Sequence, residues 1–137
     1  MRAKLLASLG GAVSAAILVG SSGVAPASAT PPPFGYLRLT VHQGQGTTGP
    51  VVAEAELWCH PDGGSHPTPA AACAALDAAG GDPQRIPARS GICPAVYAPV
   101  TAVATGHWRG GAQRIDFTRT YGNHCALRNA KPPLFDI

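Results

Sequence analysis

The chain has 137 residues, 45% of them hydrophobic, and a formal net charge of +3. Ten Lys and Arg residues stand against seven Asp and Glu residues. Such a weak basic field argues against binding to nucleic acids or to anionic membranes, which both need clustered positive charge.

The first 29 residues have the features of a secretory signal peptide. Arg2 and Lys4 form a basic start, residues 5–19 an apolar run, and residues 27–29 the cleavage sequence Ala-Ser-Ala. The apolar run is too short and too rich in Gly and Ala for a membrane span of about 20 residues. We therefore expect residues 1–29 to be removed and the mature protein to be secreted and extracellular. It keeps eight basic and seven acidic residues, a net charge of +1.

The first half of the mature chain predicts two strands and a helix. Residues 30–36 are a proline-rich lead-in, and one domain is expected over residues 37–137. The stretches Phe34–His42 and Val51–Cys59 alternate between apolar and polar residues, which is typical of half-buried, paired strands. Thr68–Ala79 predicts a helix, because a threonine cap and a proline at the first position precede an alanine-rich body.

The second half predicts further strands. Asp82-Pro83 is typical of a short helical turn. A strand is expected at Val100–Thr105, with a turn at Gly106, and another at Ala112–Tyr121. The apolar end, residues 134–137, is expected to complete the sheet. The pattern predicts an α+β domain with five antiparallel strands and about two helices.

Four cysteines in an exported chain predict two disulfides. Three pairings are possible and spacing alone does not choose among them. Local pairing, first with second and third with fourth, stabilises the fold by about 3–4 kcal/mol for each bond in the loop-entropy treatment. The alternative is a zinc site, which irregular ligand spacing and export disfavour; we expect no metal and no cofactor. The four cysteines are Cys59, Cys73, Cys93 and Cys125, and the zinc site would use Cys59, His60, His66 and Cys73.

Residues 91–99 (Gly-Ile-Cys-Pro-Ala-Val-Tyr-Ala-Pro) have unusually little conformational freedom. Pro94 fixes its own φ and disfavours the helical region for Cys93, and Pro99 does the same to Ala98. If Cys93 is bridged, the segment is extended and held at its base, as a protease substrate would be. The alternative is an edge strand whose prolines only mark the edge.

Three motifs carry a family resemblance. The pattern C-x-P…G-x-H-P…A-C-x-x-L is matched at eight fixed positions, and C-P-x-x-Y-x-P-V follows at residues 93–100. A third pattern, G-x-W-x-G, occurs at residues 106–110. The mature domain thus resembles the Streptomyces subtilisin inhibitor family of small secreted inhibitors of serine proteases. The eight positions are Cys59, Pro61, Gly64, His66, Pro67, Ala72, Cys73 and Leu76.

The resemblance implies a fold and a site. Helices would cover one side of the sheet and a homodimer would form through the other, where Trp108, Ile115 and Phe117 serve either the interface or the core. His66 would buttress the loop that contains Cys59 and Pro61. The reactive bond would be Ala95–Val96, with Cys93 joined to Cys125. The protease-contact loop would comprise Ile92, Cys93, Pro94, Ala95, Val96 and Tyr97.

The implied function is inhibition of a subtilisin-like serine endopeptidase by substrate mimicry. Uncharged Ala95 predicts subtilisin-like targets first, elastase-like targets second and trypsin last. Catalysis is not expected, since the sequence lacks G-x-S-x-G, HExxH and phosphate-loop motifs and its thiols are assigned to disulfides. The alternative is an extracellular binding or regulatory module on the same fold without strong inhibition.

Overall fold

The computed structural model describes residues 10–17, 19–25 and 32–137. The basic start and the Ala-Ser-Ala sequence of the expected signal peptide lie outside these residues, so the signal peptide stays a prediction. Among the described residues, no helix combines the length and hydropathy that a membrane crossing requires. Regular structure begins at Gly35, so the last two residues of the expected lead-in belong to a strand.

The domain is built on a five-stranded antiparallel sheet with the order β3-β2-β1-β4-β5, which confirms the predicted α+β class. Two α-helices and two short 3₁₀ turns complete the described part of the chain. The strands are β1 (Gly35–Gln43), β2 (Val51–Cys59), β3 (Gly63–Gly64), β4 (Val100–Trp108) and β5 (Gln113–Tyr121). The helices are α1 (Pro69–Ala78) and α2 (His124–Ala130), and the 3₁₀ turns are Pro83–Arg85 and Arg109–Gly111.

The predicted turn at Gly106 was wrong. Strand β4 runs straight through this residue, which pairs with Leu37 on one side and Ile115 on the other. Its φ of +153° and the closeness of the Tyr36 carbonyl explain the glycine, because a Cβ would collide with that backbone. The chain reverses only afterwards, at the turn Arg109–Gly111.

The C-terminal residues do not form the predicted strand either. Leu134 and Phe135 are fully buried in the core, and the Phe135 amide donates to the Lys131 carbonyl in a turn. The Asp136 amide likewise donates to the Pro133 carbonyl, so these donors are used in turns and not in a strand ladder. The fifth strand is instead the short β3, which pairs with the end of β2.

One face of the sheet carries the core, and α1, α2 and the C-terminal segment cover it. Leucines of β1 and β2, alanines of β4 and the side chains of Leu76 and Leu127 from the helices are fully buried there. Trp108, Ile115 and Phe117 also lie on this face and are at most 3% exposed. They therefore belong to the core, and any interface on the opposite face must use other residues.

Two disulfides staple the helices to the rest of the domain, as expected. Cys59–Cys73 joins the end of β2 to α1, and Cys93–Cys125 joins the irregular segment before β4 to α2. The side chain of Asp62 lies beside the first pair. Since both thiols of that pair are in the disulfide, they are not available as zinc ligands.

Candidate functional site

The segment from residue 87 to residue 99 has no regular secondary structure and connects the first 3₁₀ turn to β4. The side chain of Ile92 is fully exposed, and those of Val96 and Tyr97 are 59% and 72% exposed. Ala95 is exposed as well, whereas Cys93 and Pro99 are half-buried. The two half-buried residues anchor a loop whose intervening side chains face solvent, which is the arrangement of a ligand for another protein.

Helix α2 supports the N-terminal arm of this loop. The disulfide from Cys93 reaches Cys125 in its first turn, and the Asn129 amide nitrogen lies 3.2 Å from the Cys93 Sγ. The Arg89 amide donates to the Asn129 carbonyl at 2.8 Å. Gly91 packs so closely that an added Cβ would lie 2.5 Å from the Asn129 Nδ2. A side chain at position 91 would therefore displace the Asn129 amide from its contact with the loop.

Asn123 supports the centre of the loop. Its Nδ2 donates to the carbonyl oxygen of Val96 at 2.9 Å and to that of Pro94 at 3.3 Å. Its Oδ1 accepts from the Ala126 amide at 2.8 Å and so caps α2. Because the two carbonyls lie on either side of Ala95, a single side chain holds the backbone before and after that residue.

The C-terminal arm is tied to two neighbouring turns. The Ala98 amide donates to the Gly122 carbonyl at 2.9 Å, and the Gly44 amide donates to the Pro99 carbonyl at 2.7 Å. The Tyr97 hydroxyl accepts a hydrogen bond from the Gln45 Nε2 at 2.6 Å. Both arms are thus fixed through their backbone, and the exposed segment between them has few conformations available.

An ion-pair network closes the base of the site. The guanidinium of Arg89 makes two hydrogen bonds to the Asp136 carboxylate, at 2.9 and 3.0 Å, and Arg128 adds a contact at 3.4 Å. Burial opposes ionisation of Asp136, but the hydrogen bonds and charges of Arg89 and then Arg128 outweigh it and lower the pKa of the carboxyl. The chain before the loop is thereby joined to the C-terminal residues.

Two histidines near the elements of the site are built into the fold. His66 is buried; its Nδ1 accepts from the Thr68 amide at 3.0 Å, and its Nε2 then donates to the Leu134 carbonyl at 3.0 Å. It therefore joins the start of α1 to the C-terminal segment and has no ring nitrogen left for catalysis. His124 is half-buried in α2; burial, and then the charge of Arg128, lower its pKa.

The structure brings the residues named from the sequence, Ile92 to Tyr97, into one exposed loop with Cys125 at its base. The sequence reasoning missed the polar supports. Asn123 stands just before α2, a position typical of a helix cap, so a predicted helix there would have pointed to it. Gln45, Arg89 and Asn129 carry no such local signal, because their partners are distant in sequence.

The chain is similar to known bacterial protease inhibitors. The family model described as "Subtilisin inhibitor-like" matches residues 34–123. Subtilisin inhibitor-like protein 1 of Streptomyces cacaoi is 42% identical over 89 residues, covering 62% of this chain and 79% of the relative. Trypsin inhibitor STI2 of Streptomyces longisporus is 35% identical over 123 residues, covering 86% of this chain and 84% of that protein.

A solved structure has the same fold. Streptomyces caespitosus sermetstatin, crystallised in complex with Bacillus licheniformis subtilisin, superposes with a TM-score of 0.63 at 32% sequence identity. The match covers 75% of this chain and 98% of that one. With a family model spanning most of the domain, and relatives that align over more than two thirds of their length, the chain belongs to the subtilisin inhibitor-like family.

Proposed function

We propose that this protein is a secreted inhibitor of subtilisin-like serine endopeptidases and that its reactive bond is Ala95–Val96. The observation that carries the proposal is the support of the exposed loop. The disulfide Cys93–Cys125 holds the chain before the bond, and Asn123 holds the carbonyls on both sides of Ala95. The complex of sermetstatin with subtilisin supports a protease of this class as the partner.

The inhibitor acts as a substrate whose geometry is set in advance. The extended residues 92–97 pair with the protease backbone by strand addition, and the Ala95 methyl enters the primary specificity pocket. The Ala95 carbonyl then faces the catalytic serine and the oxyanion hole. Since the loop is already ordered, little conformational entropy is lost on association, and a protease–inhibitor interface of ordinary size binds tightly.

Slow turnover follows from the same supports. Cutting the bond leaves the Ala95 end held by the Cys93 disulfide and the Val96 end held by Asn123. The two new ends stay close together, so re-formation of the peptide bond competes with release of the fragments. A flexible peptide of the same sequence lacks these restraints and is expected to behave as an ordinary substrate.

Target preference follows from the exposed side chains. Ala95 carries no charge for a trypsin-like pocket, whose specificity depends on an acid. Its methyl fills a large apolar pocket incompletely, at a cost of roughly 1–2 kcal/mol against Leu. The fully exposed Ile92, three residues upstream, offers apolar area to a second subsite and compensates in part. Subtilisin-like enzymes are therefore the expected targets.

A titration of subtilisin tests the proposal. Increasing amounts of residues 30–137 are added to a fixed enzyme concentration, beside an Ala95→Asp variant. A stoichiometric fall in activity with the parent, weakened in the variant, supports inhibition through this bond. Parent protein that leaves the activity unchanged and is degraded like any substrate refutes it, and favours a binding or regulatory module on the same fold.

We propose further that two copies associate through the open face of the sheet. Trp58 is 45% exposed there, and Tyr36 and Val103 lie half-exposed on the same face. The His107 Nε2 is buried on this face without a hydrogen-bond partner among the described residues. Sedimentation equilibrium should give twice the monomer mass, and Val103→Asp should lower it to that of one copy. A parent that sediments as a monomer at micromolar concentration would overturn this proposal.

A further inference from the structure

The hairpin between β1 and β2 lies against the part of the loop that follows the proposed reactive bond. Its Gly44 amide donates to the Pro99 carbonyl at 2.7 Å. The Nε2 of Gln45 lies 2.6 Å from the hydroxyl of Tyr97, the second residue after the bond. Nothing in the sequence motifs of the loop points to this hairpin, because Gln45 and Tyr97 are 52 residues apart.

The backbone around Gln45 is held in place, so the Cα atom that carries its side chain has a defined position. Gly44 and Gly46 on either side have φ values of +90° and +79°, a region that favours glycine. The Gly46 amide donates to the Oγ1 of Thr101 at 2.9 Å, and this hydroxyl donates to the Gly44 carbonyl at 2.9 Å. Thr101 is fully buried in β4, so the tip of the hairpin is anchored to the sheet.

We propose that Gln45 is a positioning residue that holds Tyr97, and with it the segment after the reactive bond, in place when that bond is cut. This inference rests on the inhibitory function proposed above. Hydrolysis breaks the Ala95–Val96 amide and adds one water, giving a carboxylate on Ala95 and an amine on Val96. The reverse reaction re-forms the amide and releases the water. It requires the amine to remain beside the carbonyl carbon that the protease holds.

The Gln45–Tyr97 hydrogen bond restrains this amine indirectly, because Tyr97 is the residue that follows Val96. In the free inhibitor both side chains are exposed, and water competes for the bond. A bound protease covers the residues after the reactive bond and excludes water, which strengthens the same bond. Its contribution is therefore expected to be larger in the complex than in the free protein, and to affect resynthesis more than folding.

Four variants test the assignment: Gln45→Ala, Tyr97→Phe, the double variant and Gln45→Glu. Each is prepared intact and cleaved, and the rate at which catalytic amounts of subtilisin reseal the cleaved form is measured. Gln45→Ala and Tyr97→Phe should each slow resealing by about three- to tenfold, the range of one hydrogen bond. The double variant should be no slower than either single one. Gln45→Glu should reseal at nearly the parent rate, because a carboxylate accepts a hydrogen bond from the tyrosine hydroxyl.

A matched control and a folding measurement separate positioning from stability. Thr48→Ala changes an exposed residue of the same hairpin and should reseal at the parent rate. Thermal unfolding of all variants should agree with the parent. Suppose that the parent inhibits subtilisin. If Gln45→Ala then reseals at the parent rate, or if the effects of the two single variants add in the double variant, the positioning role is refuted while the inhibitory function stands. A parent that does not inhibit refutes the proposed function instead.

Discussion

The side-chain amide of Asn123 lies 2.9 Å from the carbonyl oxygen of Val96, while the oxygen of the same amide caps α2. One residue therefore serves both the loop and the helix that bears Cys125. The order of the exposed loop therefore depends on the order of the helix terminus, and substitutions of Asn123 can separate its support of the loop from its capping of α2.

The substitution Asn123→Ala should weaken both functions of this residue. Loss of two hydrogen bonds to the loop should raise the inhibition constant by about ten- to a hundredfold. Loss of the cap should lower the free energy of unfolding by about 1 kcal/mol. Asn123→Asp keeps an acceptor for the Ala126 amide but places a carboxylate beside two carbonyl oxygens. It should retain most of the stability and inhibit at least as poorly as the alanine variant, as measured by titration and by thermal unfolding. Equal inhibition by all three proteins would contradict the role assigned to the amide.

The two disulfides should differ in what their removal does. Cys93→Ser with Cys125→Ser frees the loop from α2 and should turn the inhibitor into a substrate that subtilisin cleaves and releases. Cys59→Ser with Cys73→Ser leaves the loop attached and should remain an inhibitor at temperatures where it is folded. Removing either disulfide is expected to lower the free energy of unfolding by about 3–4 kcal/mol, since the bonds close loops of 14 and 32 residues. Mass spectrometry of the digests and calorimetry distinguish the two effects. Persistent inhibition by the first pair at a temperature where it is folded would overturn the tethering argument.

Enlarging the side chain of the proposed primary residue should strengthen inhibition without affecting the fold. Ala95→Leu adds apolar atoms that the subtilisin pocket can bury, worth about 1–2 kcal/mol or roughly tenfold in the inhibition constant. Because Ala95 is exposed, the free energy of unfolding should change by less than about 0.5 kcal/mol. As a companion, Ala95→Lys should transfer inhibition to trypsin, whose pocket contains an acid. A leucine variant that binds subtilisin no better than the parent would place the primary residue elsewhere.

The Asp136 network predicts how acid affects the base of the loop. The two arginines lower the pKa of this carboxyl in the folded protein below its ordinary value of 3.8. The ionised form is therefore favoured by folding, so its stabilising contribution is complete above the ordinary value and is lost as the pH falls through the folded one. Asp136→Asn should be less stable than the parent at neutral pH, and the gap should narrow below about pH 4.

The control for this pH series is Asp116→Asn, a change at an exposed residue of β5. Denaturant unfolding at pH 7, 5, 4, 3 and 2 should show little difference between this control and the parent over the whole range. A gap between Asp136→Asn and the parent that is independent of pH would mean that the network contributes through packing and not through charge.

The sequence predicted well those elements that depend on local patterning. The alternation in β1 and β2 and the cap, proline and alanines of α1 are local signals, and these elements appear within two residues of the expected bounds. The exposed loop was also predictable, because Pro94 and Pro99 restrict the backbone whatever surrounds them.

The errors occurred where distant contacts decide the local structure. Gly106 is typical of a turn by residue type, yet its place in mid-strand depends on the approach of the Tyr36 carbonyl from β1. The apolar residues Leu134 and Phe135 fit a strand and a core segment equally well, and only the space between α2 and the sheet assigns them to the core. Gln45 and Asn129 were missed for the same reason, since they contact residues 52 and 36 positions away.

The supports of the loop act mainly on its main chain, and this has a consequence for variation among inhibitors of this kind. Asn123, Gly122 and Gly44 contact carbonyl or amide groups that every residue possesses, while the side chains of Ile92, Ala95 and Val96 point into solvent. Replacing those side chains leaves the supporting contacts intact. The target protease can thus change through successive single substitutions of these side chains, each of which leaves the protein folded.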